Sequence, residues 1–128
     1  MHVRGSKMRV LVVDDERSIA DSLALILNQS GYEARAAYSG ESAVKSAAEW
    51  LPHVLISDVV MSGMTGIEAS IAVLKLLPSC KVILFSGQAR TVDFDSATKG
   101  GYHFEILAKP VHPQALLKRL TAIEKDKS

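Results

Sequence analysis

Cysteine is nearly absent from this chain. The lone Cys80 excludes an internal disulfide and a cysteine-based zinc cluster, and it suits a reducing compartment. Long apolar runs are missing too. The longest, Leu23 to Leu27, falls far short of the roughly 20 residues that cross a bilayer as a helix. No charged-then-apolar signal segment opens the chain. Excess charge of one sign is also lacking. Against 15 Lys and Arg stand 14 Asp and Glu, a net charge of +1, so no global field favours nucleic acid or an anionic membrane. His2, His53, His103 and His112 are scattered, which leaves no basis for a histidine metal site or triad. Neither G-x-G-x-x-G nor G-x-x-x-x-G-K-[ST] occurs, so the usual nucleotide-binding signatures are absent. There is no internal repeat, linker or low-complexity tract. What remains is 128 residues, 48% hydrophobic and 23% charged, the composition of a single globular domain. At that length about two-thirds of the unfolded surface can be buried. The expectation is a soluble, cytoplasmic protein of one domain.

What is present is an alternation of short apolar runs and helical patterns. Residues 1–8 carry no periodicity and read as a tag or disordered arm, with the domain spanning 9–125. RVLVVDDE, from Arg9, is apolar on both faces and stops at acids, as a buried parallel strand does. From Ser18 to Gln29 a helix is expected, with Ile19, Leu23, Ile26 and Leu27 on one face and Gly31 as its stop. Tyr32 to Ala37 is a weaker strand. Ser39 can cap a helix running to about Trp50, which Pro52 ends. HVLISD is a third strand. Gly63 and Gly66 bracket a loop, and Ile67 to Leu77 is helical up to Pro78. KVILFSG is a fourth strand, and Thr91 to Lys99 a poor fourth helix. Phe104 to Ala108 is a fifth strand, followed by a helix from Pro113 to Glu124 with Leu116, Leu117 and Leu120 inward. Five strands alternating with five helices predict an α/β fold, a doubly wound parallel sheet covered on both faces. A barrel would need about 250 residues.

In such a sheet, ligands bind beyond the carboxyl ends of the strands. The first strand ends at Asp14 and Asp15, the third at Asp58, the fourth at Ser86 and the fifth at Lys109. Singly, these are ordinary: a solvated turn, a helix cap, a surface charge. Together they bring three carboxylates, a hydroxyl and an amine to one edge. Clustered carboxylates repel and raise one another's pKa, a strain that a hard divalent cation relieves. Mg²⁺ needs only a few carboxylates because it keeps several waters. A cation and an ammonium beside a carboxylate suit an incoming phosphoryl group, and a carboxylate can be the nucleophile that forms an aspartyl-phosphate. Asp58, central on the third strand, is the candidate.

VLVVDDE, then D-x-x-M-x-x-M-x-G as Asp58, Met61, Met64 and Gly66, then FSG and KP, resemble a response-regulator receiver domain. The resemblance runs from Arg9 to about Glu124. It implies the flavodoxin-like strand order 2-1-3-4-5. It also implies that Asp58 is the phosphoacceptor, and that Asp15 and Asp58 bind Mg²⁺ directly. Asp14 would act through water, the Val60 carbonyl would complete the protein ligands, Lys109 would pair with phosphate, and Ser86 would hydrogen-bond it. The implied partners are a sensor histidine kinase or phosphotransfer protein, and a downstream protein or fused output domain. No direct nucleic-acid or membrane contact is expected, and homodimerisation stays open. The implied activity is self-phosphorylation and slow self-dephosphorylation rather than enzymatic turnover.

Three positions depart from the family pattern. Ser62 stands where proline is usual, Ile106 where an aromatic residue commonly rotates on activation, and Gly87 where alanine is frequent. They keep a second reading open, a pseudo-receiver that binds partners through an intact pocket with altered switching. An aspartyl-phosphate phosphatase is the weaker alternative, because Val60 stands where such hydrolases commonly carry a second acid.

Overall fold

The computed structural model describes residues 7–87 and 101–126. Five parallel strands form one sheet in the order β2-β1-β3-β4-β5. They are β1 (Arg9–Val13), β2 (Glu33–Ala37), β3 (Val54–Asp58), β4 (Lys81–Ser86) and β5 (Glu105–Ala108). Four helices occur among the described residues: α1 (Arg17–Gln29), α2 (Gly40–Trp50), α3 (Gly66–Leu76) and α4 (Pro113–Asp126). The helix expected over Thr91 to Lys99 lies outside the described residues.

Strand alternation divides the core between two faces. Val10, Val12, Ile56, Ile83 and Phe85 point to one face, where α1 and α4 cover them with Leu23, Leu27, Leu116, Leu120 and Ile123. Leu11, Val13, Leu55 and Leu84 point to the other, against Ala43 and Ala47 of α2 and Ile67 and Val73 of α3. Leu117 is only partly buried against the first cluster. Met8, assigned from the sequence to the arm, is 3% exposed and packs in that cluster, where its carbonyl accepts from Glu33 N–H at 3.0 Å. One residue more than expected therefore belongs to the fold, because β2 pairs with the chain just before β1.

The buried stripe of α1 is Ala20, Leu23, Ala24 and Leu27, rotated from the expected one. Ile19 is 37% exposed. The two alanines let α1 lie close to the sheet, which turns Ile19 and Ile26 towards the side of the helix.

Helix boundaries follow local chemistry. Ser39 caps α2, its side chain accepting from Ser42 N–H at 3.0 Å. Gly31, at φ +98°, supplies the left-handed turn after α1. Thr65 and Glu68 form a capping box at the start of α3. On the outer strand β2, the Asn28 side chain spans Ala34: it accepts from Ala34 N–H at 2.8 Å and donates to its carbonyl at 3.1 Å.

Ser70, fully buried on α3, has a hydroxyl oxygen without a hydrogen-bond partner among the described residues. Ser70→Ala removes that burden and improves helix propensity, for an expected gain of about 1 kcal/mol. Urea denaturation checks this, and an unchanged or lower midpoint would refute it.

Candidate functional site

β1 lies between β2 and β3, so chain connections diverge to opposite sides at its carboxyl end. This is the switch point where a crevice opens above an open parallel sheet. Asp14 continues β1 by one residue, its N–H donating to the Ala37 carbonyl at 3.1 Å. Asp58 is the last residue of β3, and Ser86 the last of β4. Lys109 follows β5, and its N–H donates to the Ser86 carbonyl at 3.0 Å. The Lys109–Pro110 peptide bond is cis. Parallel register carries all four strand ends to one edge.

Asp14, Asp15 and Asp58 each present a carboxylate oxygen, and these oxygens lie within 4.8 Å of one another. Asp14 and Asp58 are buried, whereas Asp15 is exposed. The Lys109 ammonium reaches across β4 to Asp58 Oδ2 at 2.9 Å. Val60 N–H lies 3.4 Å from Asp58 Oδ1. The Val60 side chain stands out in solvent, 78% exposed. Ser86 is buried, 5% exposed.

Asp14 Oδ1 accepts from Glu16 N–H at 2.9 Å, but its buried Oδ2 has no hydrogen-bond partner among the described residues. Burial pushes the Asp14 pKa above its ordinary value, against the Glu16 hydrogen bond. The Asp58 charge pushes the same way, Lys109 opposes it, and Asp15 adds to the rise. For Lys109, burial works to lower the pKa. The hydrogen bond and charge of Asp58, with Asp14 and Glu16, outweigh it and raise the value. The site thus carries more negative charge than one ammonium offsets. The orphaned Asp14 oxygen and the oxygen-only donor set fit a hard divalent cation such as Mg²⁺.

Several contacts that hold this geometry had not been read from the sequence. Ser57, fully buried, donates from Oγ to the Asp58 carbonyl at 2.9 Å. Gly66 passes so close that a Cβ there would stand 2.0 Å from the Asp58 carbonyl oxygen. Its N–H donates to the Val59 carbonyl at 2.8 Å. Glu41 at the start of α2 lies 3.4 Å from Met64 N–H. Gly66 had been read as a loop and motif glycine without this contact, and the Thr65–Glu68 box, spaced T-x-x-E, also had a readable signal.

Of the histidines, His53 lies at the opposite end of the sheet, where its Nδ1 accepts from Arg9 N–H at 2.9 Å. Met61 is buried in the second cluster. Ile106 is 39% exposed on β5. Around Gly87, nothing among the described residues lies within 4 Å of where a Cβ would stand. No helix among the described residues is long and apolar enough to cross a membrane.

Comparison with known proteins agrees with this geometry. The response regulator receiver domain family matches residues 10–121. The chemotaxis protein CheY of Thermotoga maritima is 31% identical over 118 residues, covering 91% of this chain and 98% of CheY. The DNA-binding response regulator MtrA of Mycobacterium tuberculosis is 28% identical over 116 residues, 91% of this chain but 50% of MtrA. This chain therefore spans about half the length of that relative. A DNA-binding relative does not fit the expectation of no nucleic-acid partner, since the charge balance of one domain says nothing about segments outside it. Among solved structures, a receiver domain protein from Methanospirillum hungatei superposes with a TM-score of 0.86 at 27% identity, covering 94% of this chain and 96% of that one. CheY4 of Vibrio cholerae gives 0.81 at 30%, covering 91% and 98%. With the match running from β1 into α4, and the same sheet order beneath the strand-end acids, the chain belongs to the response regulator receiver domains of two-component signalling systems.

Proposed function

We propose that Asp58 accepts a phosphoryl group from a histidine kinase or phosphotransfer protein, in a reaction that requires Mg²⁺. The observation that carries this reading is the Asp58 carboxylate, 2.9 Å from the Lys109 ammonium and grouped with two further acids at the strand ends. Asp15, Asp58 and the Val60 carbonyl would hold the cation, with Asp14 acting through water. The cation supplies positive charge for the phosphoryl oxygens. An Asp58 oxygen attacks phosphorus as the bond to the donor nitrogen breaks, and that bond's electron pair returns to the donor imidazole. Lys109, already paired with Asp58, then pairs with the phosphoryl oxygens, and the Ser86 hydroxyl donates to one of them. Phosphorylation favours one of two packings, and a downstream protein or fused output domain reads the change.

A groove of about 750 Å³ opens beside this site, lined by Ile19, Leu23, Ile26, Pro110 and Val111, with Lys109 at its rim. Its apolar walls offer a seat for the donor protein. The reading is of a phosphoacceptor without enzymatic turnover, because apolar Val60 stands where a phosphatase would carry its second acid. A reducing cytoplasm suits the lone Cys80.

Intact mass after incubation with acetyl phosphate tests this reading. One added phosphoryl group is expected, dependent on Mg²⁺ and absent from Asp58→Ala. No gain in the wild type, with Mg²⁺ still bound, would overturn it in favour of a pseudo-receiver. Exposed Ile106 in place of the usual aromatic residue keeps that second reading in view.

A further inference from the structure

The loop between β3 and α3 runs over the site and turns at Gly63, φ +75°. Two carboxylates approach its backbone from other elements. Asp15 Oδ2 accepts from Ser62 N–H at 3.1 Å, and Glu41 Oε2 lies 3.4 Å from Met64 N–H. Gly40 also packs against Met64, where a Cβ would meet the Met64 Cβ at 2.8 Å. The turn is therefore held on both sides, although it lacks the proline usual in the family at position 62.

The Ser62 contact has a consequence for the three acids. Asp14 and Asp58 are 2% and 6% exposed, and packing restricts them. Asp15 is exposed and is the one carboxylate of the three with room to swing away from its neighbours' charge. Like-charge repulsion drives it outward. A charge-assisted hydrogen bond from a backbone amide opposes that movement and leaves the other oxygen for a cation. A ligating carboxylate whose second oxygen is held in this way is pre-oriented for metal.

We infer that the Ser62 N–H is a positioning group for the cation site, holding Asp15 beside Asp14 and Asp58 and tying it to the loop after the phosphoacceptor. Proline at this position could not make the contact, having no N–H. The inference rests on the proposed Mg²⁺ site.

Calorimetric titration with Mg²⁺ tests it on the wild type, Ser62→Pro and Ser62→Ala, alongside thermal unfolding in EDTA. Ser62→Pro is expected to weaken Mg²⁺ binding about tenfold, the low end for losing a contact that orients a metal ligand. Ser62→Ala keeps the N–H and should bind as the wild type does. All three proteins should unfold at similar temperatures without the ion, a result that a purely structural contact would not give. Equal affinity in Ser62→Pro would overturn the inference, as would equal weakening in both variants, which would implicate the hydroxyl. Absence of Mg²⁺ binding by the wild type would overturn both the inference and the proposed cation site. Should Ser62→Pro not fold, hydrogen exchange at the Ser62 amide decides the matter. Protection that persists in saturating Mg²⁺ and is lost in Asp15→Ala supports the inference, and an unprotected wild-type amide refutes it.

Discussion

Gly66→Ala is expected to cost the domain about 3 kcal/mol, the upper range for forced overpacking, and to displace Asp58, the proposed phosphoacceptor. The new methyl carbon would stand 2.0 Å from the Asp58 carbonyl oxygen, 2.9 Å from its carbonyl carbon and 3.0 Å from Ser57 Oγ. The two nearest are backbone atoms, and the third is a buried hydroxyl already bonded to the Asp58 carbonyl. Relief requires the first turn of α3 to withdraw from the end of β3. That movement strains the Gly66 N–H bond to the Val59 carbonyl and the Thr65–Glu68 capping box. Backbone conformation is not the obstacle, because Gly66 is not among the glycines with positive φ. Urea denaturation measures the cost, and acetyl-phosphate labelling under folding conditions measures the displacement. A variant with an unchanged midpoint and wild-type labelling would sink the prediction.

Asp14→Asn is expected to act in opposite directions on stability and on metal. In the folded chain, burial raises the Asp14 pKa above its ordinary 3.8. Between the ordinary and the raised value, the folded state binds more protons than the unfolded state, so stability falls as pH rises through that window. Above the raised pKa the penalty is fully present. Without a cation, the wild type should therefore lose stability through this group as pH rises above the ordinary 3.8 and through the raised value. Asparagine can keep the acceptor for Glu16 N–H while removing the charge. The variant should be more stable than the wild type in EDTA at pH 7 and should show a flatter pH dependence. Its Mg²⁺ affinity should fall about 10- to 100-fold, as the proposed role of Asp14 through water requires. Thermal unfolding across pH, with and without Mg²⁺, reads both effects. Lower stability than the wild type in EDTA at pH 7 would refute the prediction.

Much of this architecture was legible because strand ends are sharply punctuated. VLVVDD and VLISD pass from buried, mostly apolar runs to acids, and that transition marks both the sheet and its candidate functional edge. Period-two burial then assigns Val10 and Val12 to one face and Leu11 and Val13 to the other. The stripe of α1 was harder to read, since alanines at 20 and 24 carry little apolar signal yet fill the helix–sheet contact. The contacts made by Ser57, Ser62 and Glu41 were invisible for a different reason. Those of Ser62 and Glu41 depend on a loop passing over a strand end, and that of Ser57 on one rotamer within β3; neither composition nor period encodes such directions. Gly66 was visible as a loop glycine, but its close approach to Asp58 is a property of the packed chain.

The Asn28 amide has a consequence for the chain at high concentration. In a parallel pair, alternate residues of the outer strand direct their N–H and carbonyl groups away from the sheet. Glu33 and Ala37 bond towards β1, so Ala34 and Ala36 face outward. Asn28 engages both groups of Ala34 with its own amide, in the manner of one residue of a neighbouring strand. An incoming strand would have to displace that side chain before it could pair along β2. Sheet growth from chain to chain, the route by which open edges seed insoluble polymers, is thereby obstructed on this side of the fold.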